Sequence, residues 1–238
     1  MRRPDERWAV SAATLLVVVA AVTTILVAGG YDTPRALAAL WDGAFGSPYA
    51  VLSSTLVRAT PLLFVGLAVG FSFRAGVLNI GAEGQLLAGA TMAVTTGLLL
   101  GGFPRPLALP LVLLAGAAAG SAWAGIAAWL KQQFGVLEVI STLMLNFVAS
   151  YLVSWAVRGP LQEPTHVYPQ TVELADAVRL PALIAGHRVH LGFVLALALA
   201  GALWWFLMYT AAGFRVRAVG AGALAARSAG GINTSRNK

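Results

Sequence analysis

The feature that most constrains this chain is the length of its stretches without a formal charge. No Asp, Glu, Lys or Arg occurs from Trp8 to Tyr31, Gly84 to Pro104, Pro106 to Leu130, Val139 to Val157, or Val189 to Phe214. A sixth region, Gly43 to Phe73, is broken only by Arg58. A helix needs about 20 apolar residues to cross about 30 Å of hydrocarbon. These gaps therefore predict about six membrane-spanning helices.

Composition agrees. The 238 residues are 58% hydrophobic and 11% charged, with mean hydropathy +0.78. Soluble domains carry about 25% charged residues, so a water-facing surface cannot be built here. Disorder is excluded too, because it needs low hydrophobicity and high charge. Runs such as LLVVVAAV and LVLLAGAAAG lack the period-two alternation of barrel strands. Helices are then the way to satisfy the backbone in lipid. The fold class expected is an all-α, polytopic membrane protein.

The net charge of +7 belongs with the positive-inside rule and is not a nucleic-acid signal. With the N-terminus inside and six crossings, ten Lys and Arg fall inside and six outside, placing both ends in the cytoplasm. The N-terminal apolar run is too long for a cleaved signal peptide. Between the fifth and sixth gaps, residues 158–190 form the longest polar segment, predicted to be extracytoplasmic. Pro160, Pro164, Pro169 and Pro181 disfavour one continuous helix there. Gly66 and Gly70, Gly97 and Gly101, and Gly116 and Gly120 have the spacing that lets helices approach closely.

Two segments hold polar residues where lipid is expected. The first, Phe73 to Ala90, contains Arg74, Asn79, Glu83 and Gln85 between glycines. It reads either as a solvated interhelical loop or as a broken helix lining a cavity, as transporters use. On the second reading Asn79, Glu83 and Gln85 line or gate a polar path. The second segment opens with Glu138 and continues with Thr142 and Asn146. Their i, i+4, i+8 spacing puts them on one helix face. Such a stripe is costly in lipid and should face protein or water, as interhelical hydrogen bonding or as pathway lining.

Catalysis finds little support. The histidines, His166, His187 and His190, lie outside or at the edge of the spans and read as surface residues. No metal-ligand pattern or serine-hydrolase elbow is present. Cysteine is absent, so thiolate sites are excluded. A Walker A loop needs Gly-Lys-Ser/Thr, but Lys131 and Lys238 follow Leu130 and Asn237. If transport is ATP-driven, another chain supplies the ATPase.

Three ordered motifs carry a family resemblance. AGVLNIGAEGQLLAGA (Ala75 to Ala90) resembles the signature of bacterial ABC-importer permeases of the ribose and branched-chain amino acid group. LEVISTLMLNFVASYL (Leu137 to Leu152) resembles the nucleoside and simple-sugar branch. GFRVRAVGAGALAARSAG (Gly213 to Gly230) resembles the cytoplasmic stretch that meets the ATPase. The resemblance implies a permease subunit of an ATP-driven importer in the bacterial plasma membrane, with nucleosides as cargo. It implies a separate ATPase, a second permease subunit and an extracytoplasmic binding protein as partners, and no cofactor in this chain. Arg215, Arg217 and Arg227 would belong to a coupling segment, 212–238. Residues 1–238 would form one permease domain, the N-terminal part of a larger fold. Alternatives are a simple-sugar or branched-chain amino acid permease, a nonfunctional fragment, or a subunit of a membrane-embedded enzyme complex. One departure is the extra glycine in Ala229-Gly230-Gly231-Ile232, which shifts the expected register of the coupling helix.

Overall fold

The computed structural model describes residues 4–222. The chain divides into two compact units that meet between Val57 and Arg58. In the first, α1 (Pro4–Ala28) is followed by α2 (Thr33–Phe45) and a π-helical segment (Ala50–Thr55). Asp32 begins α2 by accepting the Arg35 N–H at 3.2 Å, and Pro34 occupies its first turn, where a missing N–H costs nothing. At 13 residues, α2 is too short to span. The sequence reading passed over it, although Asp32-Thr33-Pro34 is a start signal.

The second unit holds α3 (Leu56–Arg74), counted from its first residue just before the unit boundary, then α4 (Ala82–Leu100), α5 (Arg105–Phe134), α6 (Glu138–Val157), α7 (Leu191–Tyr209) and α8 (Ala211–Ala221). Neighbouring helices lie close because small residues meet. A Cβ on Gly89 would stand 2.9 Å from the Gly116 carbonyl oxygen, and one on Gly120 3.1 Å from that of Gln85. This draws α4 onto α5. Gly97 and Gly101 instead receive Leu174 and Ala175 of the 158–190 segment, while Gly66 and Gly70 face open space. That segment is irregular, with one 3-10 turn at Asp176–Val178. Val178 joins Ala108 and Val112 of α5 in a small buried cluster.

Among the described residues, five helices are long and apolar enough to cross a membrane: Trp8–Ala28, Ala50–Arg74, Arg105–Phe134, Glu138–Val157 and Leu191–Tyr209. That is one fewer than the about six that the charge gaps predict. The helix in the remaining gap, α4, has 19 residues, as many as α7. Glu83 and Gln85 in its first turns dilute its apolar character, and it packs on α5 and α6. The chain is nonetheless a multi-pass helical membrane protein. Leu15, Leu16, Leu62, Leu99 and Leu114 are each at least 65% exposed, a surface suited to lipid or partner helices and not to water.

Candidate functional site

The site is built where the ends of α3 and α5 meet the starts of α4 and α6. Gly76 closes α3 with left-handed φ of 78°. The Gly76 N–H donates to Phe73 O at 3.1 Å and the Val77 N–H to Ser72 O at 3.0 Å. That pair of bonds is the Schellman stop. Residues 77–81 then run as a strap to α4.

The strap is gripped from two sides. On its own side, Asn79 Oδ1 accepts the Gly81 N–H at 2.9 Å. Gln85 Nε2 donates to Asn79 Oδ1 at 3.2 Å, and Asn79 Nδ2 donates to Gln85 Oε1 at 3.3 Å. On the α6 side, the Ile80 N–H donates to Thr142 Oγ1 at 3.3 Å, and Asn146 Nδ2 donates to Ile80 O at 3.0 Å. Asn146 Oδ1 accepts the Gly84 N–H at 2.8 Å. A helix begins with four N–H groups lacking internal partners, and Gly81 has no side chain to cap them. Asn146 therefore caps α4 from another helix. The approach needs glycine: a Cβ on Gly81 would stand 2.8 Å from Thr142 Cβ, and one on Gly84 2.9 Å from Asn146 Oδ1.

Beside the strap lies a cavity of about 480 Å³, with Asn79, Gln85, Lys131, Gln132, Glu138 and Thr142 among its lining residues. Lys131 Nζ is 2.8 Å from Glu138 Oε1, with side chains 50% and 18% exposed respectively. Gly135, left-handed at φ 65°, ends α5 and turns the chain so that Lys131 and Glu138 meet.

The predicted residues sort plainly. Asn79, Gln85, Glu138 and Thr142 line the cavity. Asn146 is buried and holds the strap instead. Glu83 is exposed on α4 and lies outside the cavity lining. Arg215 is exposed on α8. Arg217 folds back, its Nη1 donating to Met208 Sδ at 3.7 Å, while its Nε is buried without a hydrogen-bond partner. Arg227 lies outside the described residues. Sequence reasoning missed Lys131 and Gln132 as lining residues, although the i, i+7 relation of Lys131 to Glu138 across a glycine turn was visible. It also read His190 as a surface residue. Its ring Nδ1 accepts the Gly192 N–H at 3.1 Å and caps α7. Among the described residues no group of three His, Cys, Asp or Glu could hold a metal.

These features define a class: a multi-pass helical membrane protein with a polar cavity at the ends of its helices. The chain belongs to the family of branched-chain amino acid transport system permease components, whose model matches residues 51–238. It is 39% identical to a glucose ABC transporter permease of Haloferax volcanii, over 96% of this chain and 63% of that protein. It is 38% identical to a guanosine ABC transporter permease of Bacillus subtilis, over 89% of this chain and 61% of the relative. A nucleoside ABC transporter permease of Lactococcus lactis is 26% identical over 82% of this chain. The chain thus spans under two thirds of the length of these relatives, all of which are named as permeases and none as an enzyme. No solved structure matches.

Proposed function

We propose that the chain forms part of the membrane-spanning permease of an ATP-driven importer in the plasma membrane, with nucleosides as its cargo. The observation that carries this reading is the polar cavity of about 480 Å³, set within the family-matched region. Its three amides, hydroxyl groups and one ion pair offer hydrogen bonds to a polar, uncharged solute. The ion pair leaves little net charge to attract an anion. Such a site binds and releases without covalent chemistry. In this reading α4 crosses as the sixth span, its polar start shielded by α6. ATP is used by a separate ATPase, which meets the region around α8. A second permease subunit and an extracytoplasmic binding protein complete the assembly.

A simple-sugar cargo is the second reading, favoured by the 39% identity to the glucose permease. Uptake separates the two. The permease bearing this chain, assembled in vesicles with its ATPase and binding protein, is expected to accumulate labelled guanosine when ATP is supplied. Glucose accumulation in place of guanosine would select the sugar reading. Accumulation independent of ATP would reject the importer reading.

A further inference from the structure

We infer that α2 docks on the bilayer itself, its apolar face lying among the lipid headgroups and upper acyl chains at the membrane face where α1 ends. The inference goes beyond the permease reading and does not depend on the cargo.

Three observations carry it. First, α2 is sharply two-sided, unlike α1 and α3 on either side of it. Leu37, Leu40, Trp41, Ala44 and Phe45 fall within an arc of about 140° at 3.6 residues per turn. Arg35 and Asp42 lie on the opposite side. The Trp41 and Phe45 rings stand 5.1 Å apart, and exposed Tyr31 and Tyr49 flank the helix; Trp and Tyr are enriched at membrane–water interfaces. A helix with such faces lies in the interface plane. One cation and one anion on the polar side leave no net charge to select anionic lipid, so apolar burial carries the docking. Secondly, both ends of α2 are held at the membrane surface. Residues 29–32 join it to α1, and 46–49 join it to the Ala50–Arg74 span. Four residues reach at most about 14 Å, whereas α2 is about 20 Å long. The first link is a tight turn: Gly30 has φ 72°, and the Gly30 and Tyr31 N–H groups donate to Val27 O and Leu26 O at 3.0 Å. At the other end Thr55 Oγ1 donates to Ala44 O at 2.7 Å. Thr55 lies no more than about 8 Å along the helix from Ala50. That sets the last turn of α2 at the depth of about 5–10 Å where interfacial helices rest. Thirdly, the apolar face is uncovered. Leu37, Leu40, Trp41 and Phe45 are exposed, and no residue of the adjoining Trp8–Ala28 span is buried. The lipid that surrounds α1 is therefore what adjoins α2.

The absence of cysteine makes the test direct. A nitroxide is attached to one introduced cysteine at a time, at Leu37, Leu40 or Ala44 on the apolar face and at Arg35, Ala39 or Asp42 on the other. The full chain carrying each label is reconstituted in vesicles of phosphatidylcholine, alone or mixed with phosphatidylglycerol. Relaxation of the label by oxygen, which concentrates in lipid, is compared with relaxation by a water-soluble nickel chelate. The expected oxygen-to-nickel ratio is at least fivefold higher at 37, 40 and 44 than at 35, 39 and 42, in both lipids. Equal, nickel-dominated relaxation at all six positions would put α2 in water and overturn the inference. Exclusion of both reagents at 37, 40 and 44 would also overturn it, because protein would then cover the face. So would a contrast seen only with phosphatidylglycerol, because charge and not apolar burial would then hold the helix. No step of the test uses transport. Its failure leaves the permease reading standing, and a failure of ATP-dependent uptake leaves the docking of α2 standing.

Discussion

Asn146→Leu removes the one side chain that holds both the strap and the start of α4. Leu branches at the same position as Asn and has the higher helix propensity, so α6 itself should form. What is lost is the acceptor for the Gly84 N–H at 2.8 Å and the donor to Ile80 O at 3.0 Å. Leaving a buried backbone group without a partner costs about 1–3 kcal/mol. Hydrogen bonds between membrane helices measure lower, averaging about 0.6 kcal/mol with a maximum near 1.7. Two groups together therefore predict a loss of about 2–3 kcal/mol. Thr142→Val removes one longer bond to the strap, 3.3 Å from the Ile80 N–H, together with the bond that Thr142 Oγ1 donates within α6 to Glu138 O at 2.6 Å, and is expected to cost about 0.5–1 kcal/mol. Unfolding of the purified chain in mixed micelles by a denaturing detergent gives both values. Amide exchange at Gly84 locates the effect. Asn146→Leu within about 0.5 kcal/mol of the parent, with Gly84 still protected, would refute the capping argument.

Other outcomes follow from the same structure. Glu163 accepts bonds from Gln170 at 2.8 Å and Thr165 at 2.9 Å, and from the Tyr168 N–H, which hold its carboxyl below the ordinary value of 4.5. A lowered carboxylate contributes order that is present above the unfolded pKa and lost as pH falls through the folded one. Proteolysis of the 158–190 segment should therefore accelerate below pH 4.5, and Glu163→Gln should flatten that dependence. Glu138→Gln breaks the ion pair with Lys131; because Lys131 is half exposed, the expected cost is about 0.5–1 kcal/mol, read by the same detergent titration. Cysteines at Leu78 and Phe103, before and after α4, should be labelled from opposite sides of the membrane; labelling from one side would show that α4 does not cross.

The helices were legible because charge is what a lipid-crossing segment must omit. Counting gaps located α1, α3, α4, α5, α6 and α7, while α2, which has charges at Arg35 and Asp42, gave no gap. The polar face of Glu138, Thr142 and Asn146 was legible as well, since helical spacing is a local property. Its role was not. The partners of Asn146 are backbone atoms of Ile80 and Gly84, more than 60 positions away in the chain, and no pattern of residue types marks a backbone group as needing a cap. The same holds for Gly220, whose reason for being glycine lies at Arg74 and Gly76. The sequence placed Arg217 in a coupling segment but not against Met208, because that contact depends on the break between α7 and α8 at Thr210.

Protection by cargo tests most directly whether the polar cavity lies on a transport path. The permease bearing this chain with a single cysteine at Gln132, which lines the cavity and takes no part in gripping the strap, is reconstituted with its ATPase and binding protein. Maleimide labelling is then followed during ATP-driven guanosine uptake. The account predicts that guanosine slows labelling at position 132 by at least threefold. Unchanged labelling at position 132 while guanosine accumulates would place the path elsewhere and contradict the account.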